Sequence, residues 1–361
     1  MKKDNQISIY HGRRIEVEIF GASHAPQIGV VAKGFEGEIF CEKTLQSFLD
    51  RRRAKKSAFS TTRLEEDKVI FESGVKDGVI VGDLKAVIYN TKQHSADYDK
   101  VKKTPRPSHA DYVAWTKYGD NFDFRGGGKF SGRMTAPICI IGGICKQILE
   151  EKGIRINAYI QSIGKIQGAS YKNTDIEKVD FSTCDQNFPL LNKEDKVAML
   201  EEIENAKRQG DSVGGSIECV IQGLPVGCGE YMFDSLESVI SHLAFALPAV
   251  KGIEFGWGFD LASMKGSQAN DFLFTDGKMV KTKTNHNGGI NGGLSNGMPL
   301  LFRVAIKPTP SIALEQDTVD LEKMENVKLQ IGGRHDACIT PRAVAVIEAI
   351  SALAIYDSIG E

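Results

Sequence analysis

Hydrophobic and polar positions change their period along the chain, and the changes mark out elements. Residues 15–20 (IEVEIF) and 28–33 (IGVVAK) are short runs rich in β-branched side chains, which predicts two strands. Over 42–53 the spacing lengthens, so that Leu45, Phe48 and Leu49 fall on one face of a helix ending in three arginines. Residues 79–89 suit a strand or hairpin, and 136–151 (APICIIGGICKQILEE) a buried helix. Strands are predicted at 155–163 and 213–221. Between them, 193–209 reads as an amphipathic helix closed by Gly210, with Val197, Leu200 and Ile203 inward. A helix at 234–247 takes Asp234 as its N-cap. Residues 299–307 alternate, with Leu300, Phe302, Val304 and Ile306 on one side and Arg303 and Lys307 on the other. Pro341 opens a last helix that runs to Ser358.

Two stretches lack a period. Residues 164–192 are polar and irregular and read as an excursion. Residues 285–297 (NHNGGINGGLSNG) hold five glycines and four asparagines, which predicts a long exposed loop unless a ligand or subunit orders it. No internal repeat and no low-complexity linker appears. The expectation is one large α+β domain spanning residues 1–361.

Composition narrows the function. The 361 residues carry a formal net charge of -2, so local clusters must bind any anion and nucleic acid is not an expected partner. Seven cysteines with no C-x-x-C pair read as reduced thiols, and no zinc site is expected. The N-terminus lacks the apolar core of a secretory signal, and no run approaches the ~20 apolar residues of a membrane span. A soluble, cytoplasmic protein without a membrane partner is expected.

Candidate chemistry is densest at 106–135. Arg106, Lys117, Arg125, Lys129 and Arg133 accompany His109 and three consecutive glycines, Gly126 to Gly128. Glycines let a backbone approach a ligand and turn its N–H groups toward an anion. Arginines supply paired donors for phosphate or carboxylate, and histidine moves protons near neutral pH. His24 lies among small residues in GASHAPQIG; an ordinary turn histidine is the plainer alternative. His109 has the same plain alternative, weakened by the adjacent Arg106 and Asp111, though Asp111 is equally open to reading as an N-cap. Arg51, Arg52 and Arg53 exceed what capping a helix end requires. Lys307-Pro308-Thr309-Pro310-Ser311 forms a second candidate anion cradle, and Arg334, His335 and Asp336 sit in a turn before the last helix. The P-loop, the dinucleotide fingerprint, the serine-hydrolase elbow and the zinc-protease motif are all missing.

Taken in order, these blocks resemble chorismate synthase. The resemblance runs through GASHAPQIG, LDRRR, RPSHADY, KYGDNFDFRGGGKFSGR, GDSVGG, GLPVGCGE, PAVKGIEFGWGF, GGINGGLSNG, KPTPS and GRHDACITPRA. It implies a β-α-β sandwich fold, a homotetramer and a lyase of the shikimate pathway. The implied reaction is a 1,4-anti elimination of phosphate from 5-enolpyruvylshikimate 3-phosphate that needs reduced FMN. His24 would then protonate the leaving phosphate, His109 would serve the reduced flavin, and Asp336 would work with flavin N5 in removing the substrate proton. Arg52, Arg133 and Arg334 would face the substrate. Flavin contacts would come from Lys129, Phe130, Ser131, Pro248, Ala249, Gly292, Lys307, Pro308, Thr309, Pro310, Ser311 and Arg334. With no dinucleotide fingerprint for NADP, reduced flavin is expected from an external reductase or reductant. The chain departs from the usual pattern at Ala22, Ala25, Ala58, Phe130 and Met134, and has RPSHAD where R-P-G-H-A-D is usual. The alternative is a non-catalytic flavin- or phosphate-binding protein on the same scaffold.

Overall fold

A computed structural model of the protein describes residues 7–53, 66–90, 103–119, 122–332 and 336–359. Contacts divide the chain into two compact units. The first comprises residues 1–140, 200–214 and 308–339, and the second 141–199, 215–307 and 340–361.

The first unit is built on a five-stranded antiparallel sheet. Its strands are β1 (Ile7–His11), β2 (Glu16–Gly21), β3 (Gln27–Lys33), β4 (Ile70–Lys76) and β5 (Val79–Tyr89), in the order β1-β2-β3-β5-β4. Alternation explains the pairing: Val17, Ile28, Val30 and Ala32 are buried, while Lys33 at the end of β3 reaches Glu16 at 2.7 Å. Helix α1 (Glu42–Arg52) buries Leu45, Phe48 and Leu49 as the periodicity requires, and Arg52 as well. Helix α2 (Asp111–Tyr118) begins at Asp111, and the cap position is Ala110 with no side-chain bond, so Asp111 is not an N-cap. Helix α3 (Thr135–Glu151) follows the glycine turn.

The second unit carries another antiparallel sheet: β6 (Arg155–Ile163), β7 (Ile166–Gln167), β8 (Gly215–Gln222), β9 (Val250–Phe255) and β10 (Leu300–Ile306), in the order β7-β6-β8-β10-β9. The longer helices that follow among the described residues are α4 (Asp195–Arg208), α5 (Leu236–Phe245) and α6 (Thr340–Ser358). Helix α6 is buried along its length. It lies on one face of this sheet, where Cys219 Sγ meets Ser351 Oγ at 3.4 Å, and it packs against α5. Gly142 of α3 touches the backbone of Ala349; a Cβ there would sit 2.4 Å from the Ala349 carbonyl oxygen. The α+β class read from the sequence holds. All seven cysteines are thiols.

Four expectations are corrected. Val197 is 66% exposed, because the inward stripe of α4 follows Met199 and Ile203, one turn apart, and Val197 points roughly 200° away from Met199 at 100° per residue. Ser235, not Asp234, caps α5, its Oγ accepting from Ser238 N at 3.1 Å. Residues 164–192 are no solvent excursion: Tyr171 and Ile176 pack on Tyr159, Val220 and Leu301 of the sheet. Residues 285–297 are no long exposed loop, since the chain's own groups hold them. The Asp271 carboxylate accepts from His286 N at 2.7 Å and Asn287 N at 2.9 Å, and Gly288, Gly289, Ile290, Gly293 and Ser295 are buried.

Candidate active site

The sequence concentrates its unusual residues on one turn of the first unit. Gly126, Gly127 and Gly128 have φ of 57°, 83° and 55°, a region L side chains rarely enter. The space their missing side chains leave is used. A Cβ on Gly126 would lie 2.4 Å from His24 Cε1 and 2.8 Å from Ser23 Oγ. One on Gly127 would lie 3.3 Å from His109 Nε2. Consecutive glycines therefore receive the two imidazoles, one from the turn after β2 and one from the segment before α2. Ser23 N donates to Gly128 O at 3.1 Å, which fastens the His24 turn to the glycine turn.

Behind His109 stands a buried chain of polar groups. His109 Nδ1 is 2.6 Å from Asp111 Oδ1. Arg106 donates to the same carboxylate through Nε at 2.7 Å and Nη2 at 2.8 Å, and through its backbone N at 3.1 Å. Arg106 Nη1 donates to Ser311 Oγ at 3.1 Å. Burial pushes the Asp111 carboxyl up, but the bonds from Arg106 and His109 outweigh it and hold it well below its ordinary value. Two residues earlier, Thr309 Oγ1 donates to the Asp336 backbone carbonyl at 2.9 Å, which ties the predicted aspartate to the 308–311 segment.

A second buried carboxylate organises the arginines. Asp67 receives Arg52 Nη2 on one oxygen and Arg133 Nη1, at 2.6 Å, on the other. Side-chain exposure is 2% for Asp67, 4% for Arg52 and 10% for Arg133, so this triad is screened from water. Burial raises the Asp67 carboxyl and the two guanidiniums lower it; the net effect is a pKa below the ordinary 3.8. Arg133 Nε also donates to Asn90 Oδ1 at 2.7 Å, and Asn90 Nδ2 to Ala25 O at 2.6 Å, next to His24. Arg52 Nη1 reaches Thr135 Oγ1 at 3.3 Å, at the start of α3.

The first unit thus brings His24, His109, Arg52, Arg133, Lys129, Phe130, Ser131, Thr309, Ser311 and Asp336 into one framework of turns. Lys129 Nζ stands 3.8 Å from the centre of the Tyr118 ring, and the bonds from Lys129 and Lys117 lower the Tyr118 hydroxyl against the effect of burial. Phe130 is 38% exposed and rests on Phe122, and Met134 is buried, so both departures from the usual pattern are accommodated by packing. Pro248, Ala249, Gly292 and Lys307 are carried by the second unit, where Lys307 N donates to Ala249 O at 2.9 Å. Arg334, His335 and Ala58 lie outside the described residues.

Sequence reasoning passed over Asp67 and Asn90, and it left Asp111 open between a neighbour that supports His109 and an N-cap. The H-x-D spacing of His109 and Asp111 was a usable signal. Asp67, in a run of mixed charge, offered none, because its partners stand 15 and 66 residues away.

A buried His24 and a half-buried His109, clustered guanidiniums and a glycine turn make this a candidate site for acid–base chemistry. The family model for chorismate synthase matches residues 15–359. The chain is 40% identical over 348 residues to the chorismate synthase of Dehalococcoides mccartyi, covering 96% of this chain and 95% of that one. It is 41% identical over 351 residues to that of Korarchaeum cryptofilum and 42% identical over 350 to that of Thermococcus kodakarensis, covering 96% of each chain in both cases. It shares the fold of a crystal structure of chorismate synthase, with a TM-score of 0.74 at 23% identity, over 96% of this chain and 92% of that one. The chain belongs to the chorismate synthase family, and with it to the lyases.

Proposed function

We propose that this protein eliminates phosphate from 5-enolpyruvylshikimate 3-phosphate to give chorismate, with reduced FMN bound. The observation that carries the reading is the seating of His24 and His109 against consecutive glycines of one turn. Breaking the allylic C–O bond leaves negative charge on phosphate, which fixed cations stabilise and a proton neutralises. His24 delivers that proton, Arg52 and Arg133 supply positive potential, and Asp336 takes part in removing the proton lost from carbon. Arg334 adds a further cation on the substrate side.

The residues fit FMN. Lys307 has its ammonium pKa lowered by burial and by Lys251, a strain that a phosphate would relieve. The hydroxyls of Thr309 and Ser311, each directly after a proline (Pro308 and Pro310), suit the same group, with Lys129, Phe130, Ser131, Pro248, Ala249 and Gly292 as the further contacts. When bound, reduced FMN supplies the electron-rich ring that the elimination requires, and His109 manages the proton on its side of the site. The whole chain acts as one catalytic domain in a homotetramer, with an external reductant keeping the flavin reduced. Among the described residues no helix is long and apolar enough to cross a membrane.

The test is an anaerobic assay with substrate and reduced FMN, following chorismate and inorganic phosphate. Product no faster than without enzyme rejects the proposal, and flavin bound without turnover makes the protein a binding protein. His24→Ala and His109→Ala should each lower kcat by roughly 10²-fold or more.

A further inference from the structure

We propose that Asp111, held by Arg106, is the positioning residue that fixes the proton of neutral His109 on Nδ1 and so makes Nε2 the nitrogen that carries protons to and from the site. The inference rests on the reading of His109 as a proton-handling residue, and it adds which atom does the work and what sets it.

The contacts decide the tautomer. Nδ1 lies 2.6 Å from Asp111 Oδ1 and 3.2 Å from Arg106 Nη2. If Arg106 were the donor to Nδ1, an imidazole lone pair would face a carboxylate oxygen at 2.6 Å with no proton between them, which is repulsive. The carboxylate cannot supply that proton, because Arg106 donates to both of its oxygens and keeps it ionised. The proton therefore belongs to Nδ1, and the Arg106 contact follows from both groups gripping one carboxylate. Nε2 is left facing the glycine turn at Gly127. In the imidazolium form Nε2–H gives up its proton, the ring keeps the Nδ1 proton, and Asp111 remains a carboxylate throughout.

The same geometry forecasts what the neutral isostere does. In Asp111→Asn only one oxygen remains, and the donors of Arg106 claim it. The amide NH₂ then turns to His109 Nδ1, which must become an acceptor, and the ring proton moves to Nε2.

The experiment is ¹⁵N NMR of histidine-labelled full-length protein near pH 8, with His109 assigned by comparison with His109→Gln. The wild type should show the Nδ1–H tautomer and Asp111→Asn the Nε2–H tautomer, with kcat reduced by about 10²-fold or more and the substrate KM little changed. An Nε2–H tautomer in the wild type overturns the proposal, and so does a folded Asp111→Asn protein with unchanged tautomer and kcat. If that variant fails to fold, the wild-type spectrum decides alone. Neither substrate nor flavin enters the NMR measurement, so its outcome is separate from that of the chorismate assay.

Discussion

Asp67 and Asp111 of the first unit and Glu218 of the second are all buried, and their surroundings act on them in opposite ways. In the first, Asp67 and Asp111 lie against guanidiniums and are held ionised below their ordinary pKa. In the second, Glu218 is fully buried beneath 164–192. It accepts from Tyr159 Oη at 2.6 Å, Ser170 Oγ at 2.7 Å and Tyr171 N at 3.0 Å, while Arg303 stays 3.9 Å away. Burial wins there, and the Glu218 carboxyl is raised above its ordinary 4.5. The two cation-paired carboxylates fix the direction of Arg52, Arg133 and the His109 ring. The hydroxyl-bonded one fastens a covering segment to a sheet. Burial alone does not mark a functional acid; its partners do.

Asp67→Asn should break this contrast hardest. It leaves Arg52 and Arg133 buried side by side with one neutral acceptor, at a cost of about 3 kcal/mol or more in urea unfolding. Turnover should fall with it, since both guanidiniums lose their anchor. A loss under about 1 kcal/mol would mean that water or another group already compensates the pair.

Next in size is the glycine turn. Gly126→Ala places a methyl against the His24 ring at φ 57°, and should cost about 1–3 kcal/mol and displace the imidazole enough to lower kcat substantially. Gly82→Ala, in β5 with nothing within 4 Å, should stay within about 0.5 kcal/mol. Ser108 runs the other way. It occupies φ 57°, next to His109, where the related motif has glycine, so Ser108→Gly should stabilise by about 1 kcal/mol.

The pH dependence of unfolding separates the two kinds of acid by sign. Asp67 and Asp111 have folded pKa values below 3.8, so their stabilisation is complete above that value and is lost as pH falls through the folded pKa. Glu218 has a folded pKa above 4.5, so its contribution is complete below 4.5 and is lost as pH rises through the folded value. Asp67→Asn should flatten the acid limb. Glu218→Gln should instead remove part of the decline on the alkaline side and cost roughly 1 kcal/mol at low pH. The same direction of change in both variants would refute the contrast.

The smallest effect concerns a helix end. Ser235→Ala should cost about 1 kcal/mol through the lost cap of α5. Asp234→Ala, exposed and off the cap position, should change stability by under about 0.5 kcal/mol.

The chain alone determined the elements whose physics is local. The β-branched runs became β2 and β3, the 3.6-residue spacing of Leu45, Phe48 and Leu49 became α1, and three consecutive glycines marked a place where the backbone is closely approached. The motif blocks also led to the family and to His24 and His109. Tertiary structure decided everything that needed partners from afar. It placed Asp67 between Arg52 and Arg133, decided between two readings of Asp111 by setting it against His109 and not at the cap, and moved the inward face of α4 from Val197 to Met199. It also folded 285–297 around Asp271 and covered Glu218 with a segment that looked like a surface loop. A period encodes which side of an element is apolar, but the pairing of a buried charge is settled only where the folded chain brings its counter-charge within hydrogen-bond reach.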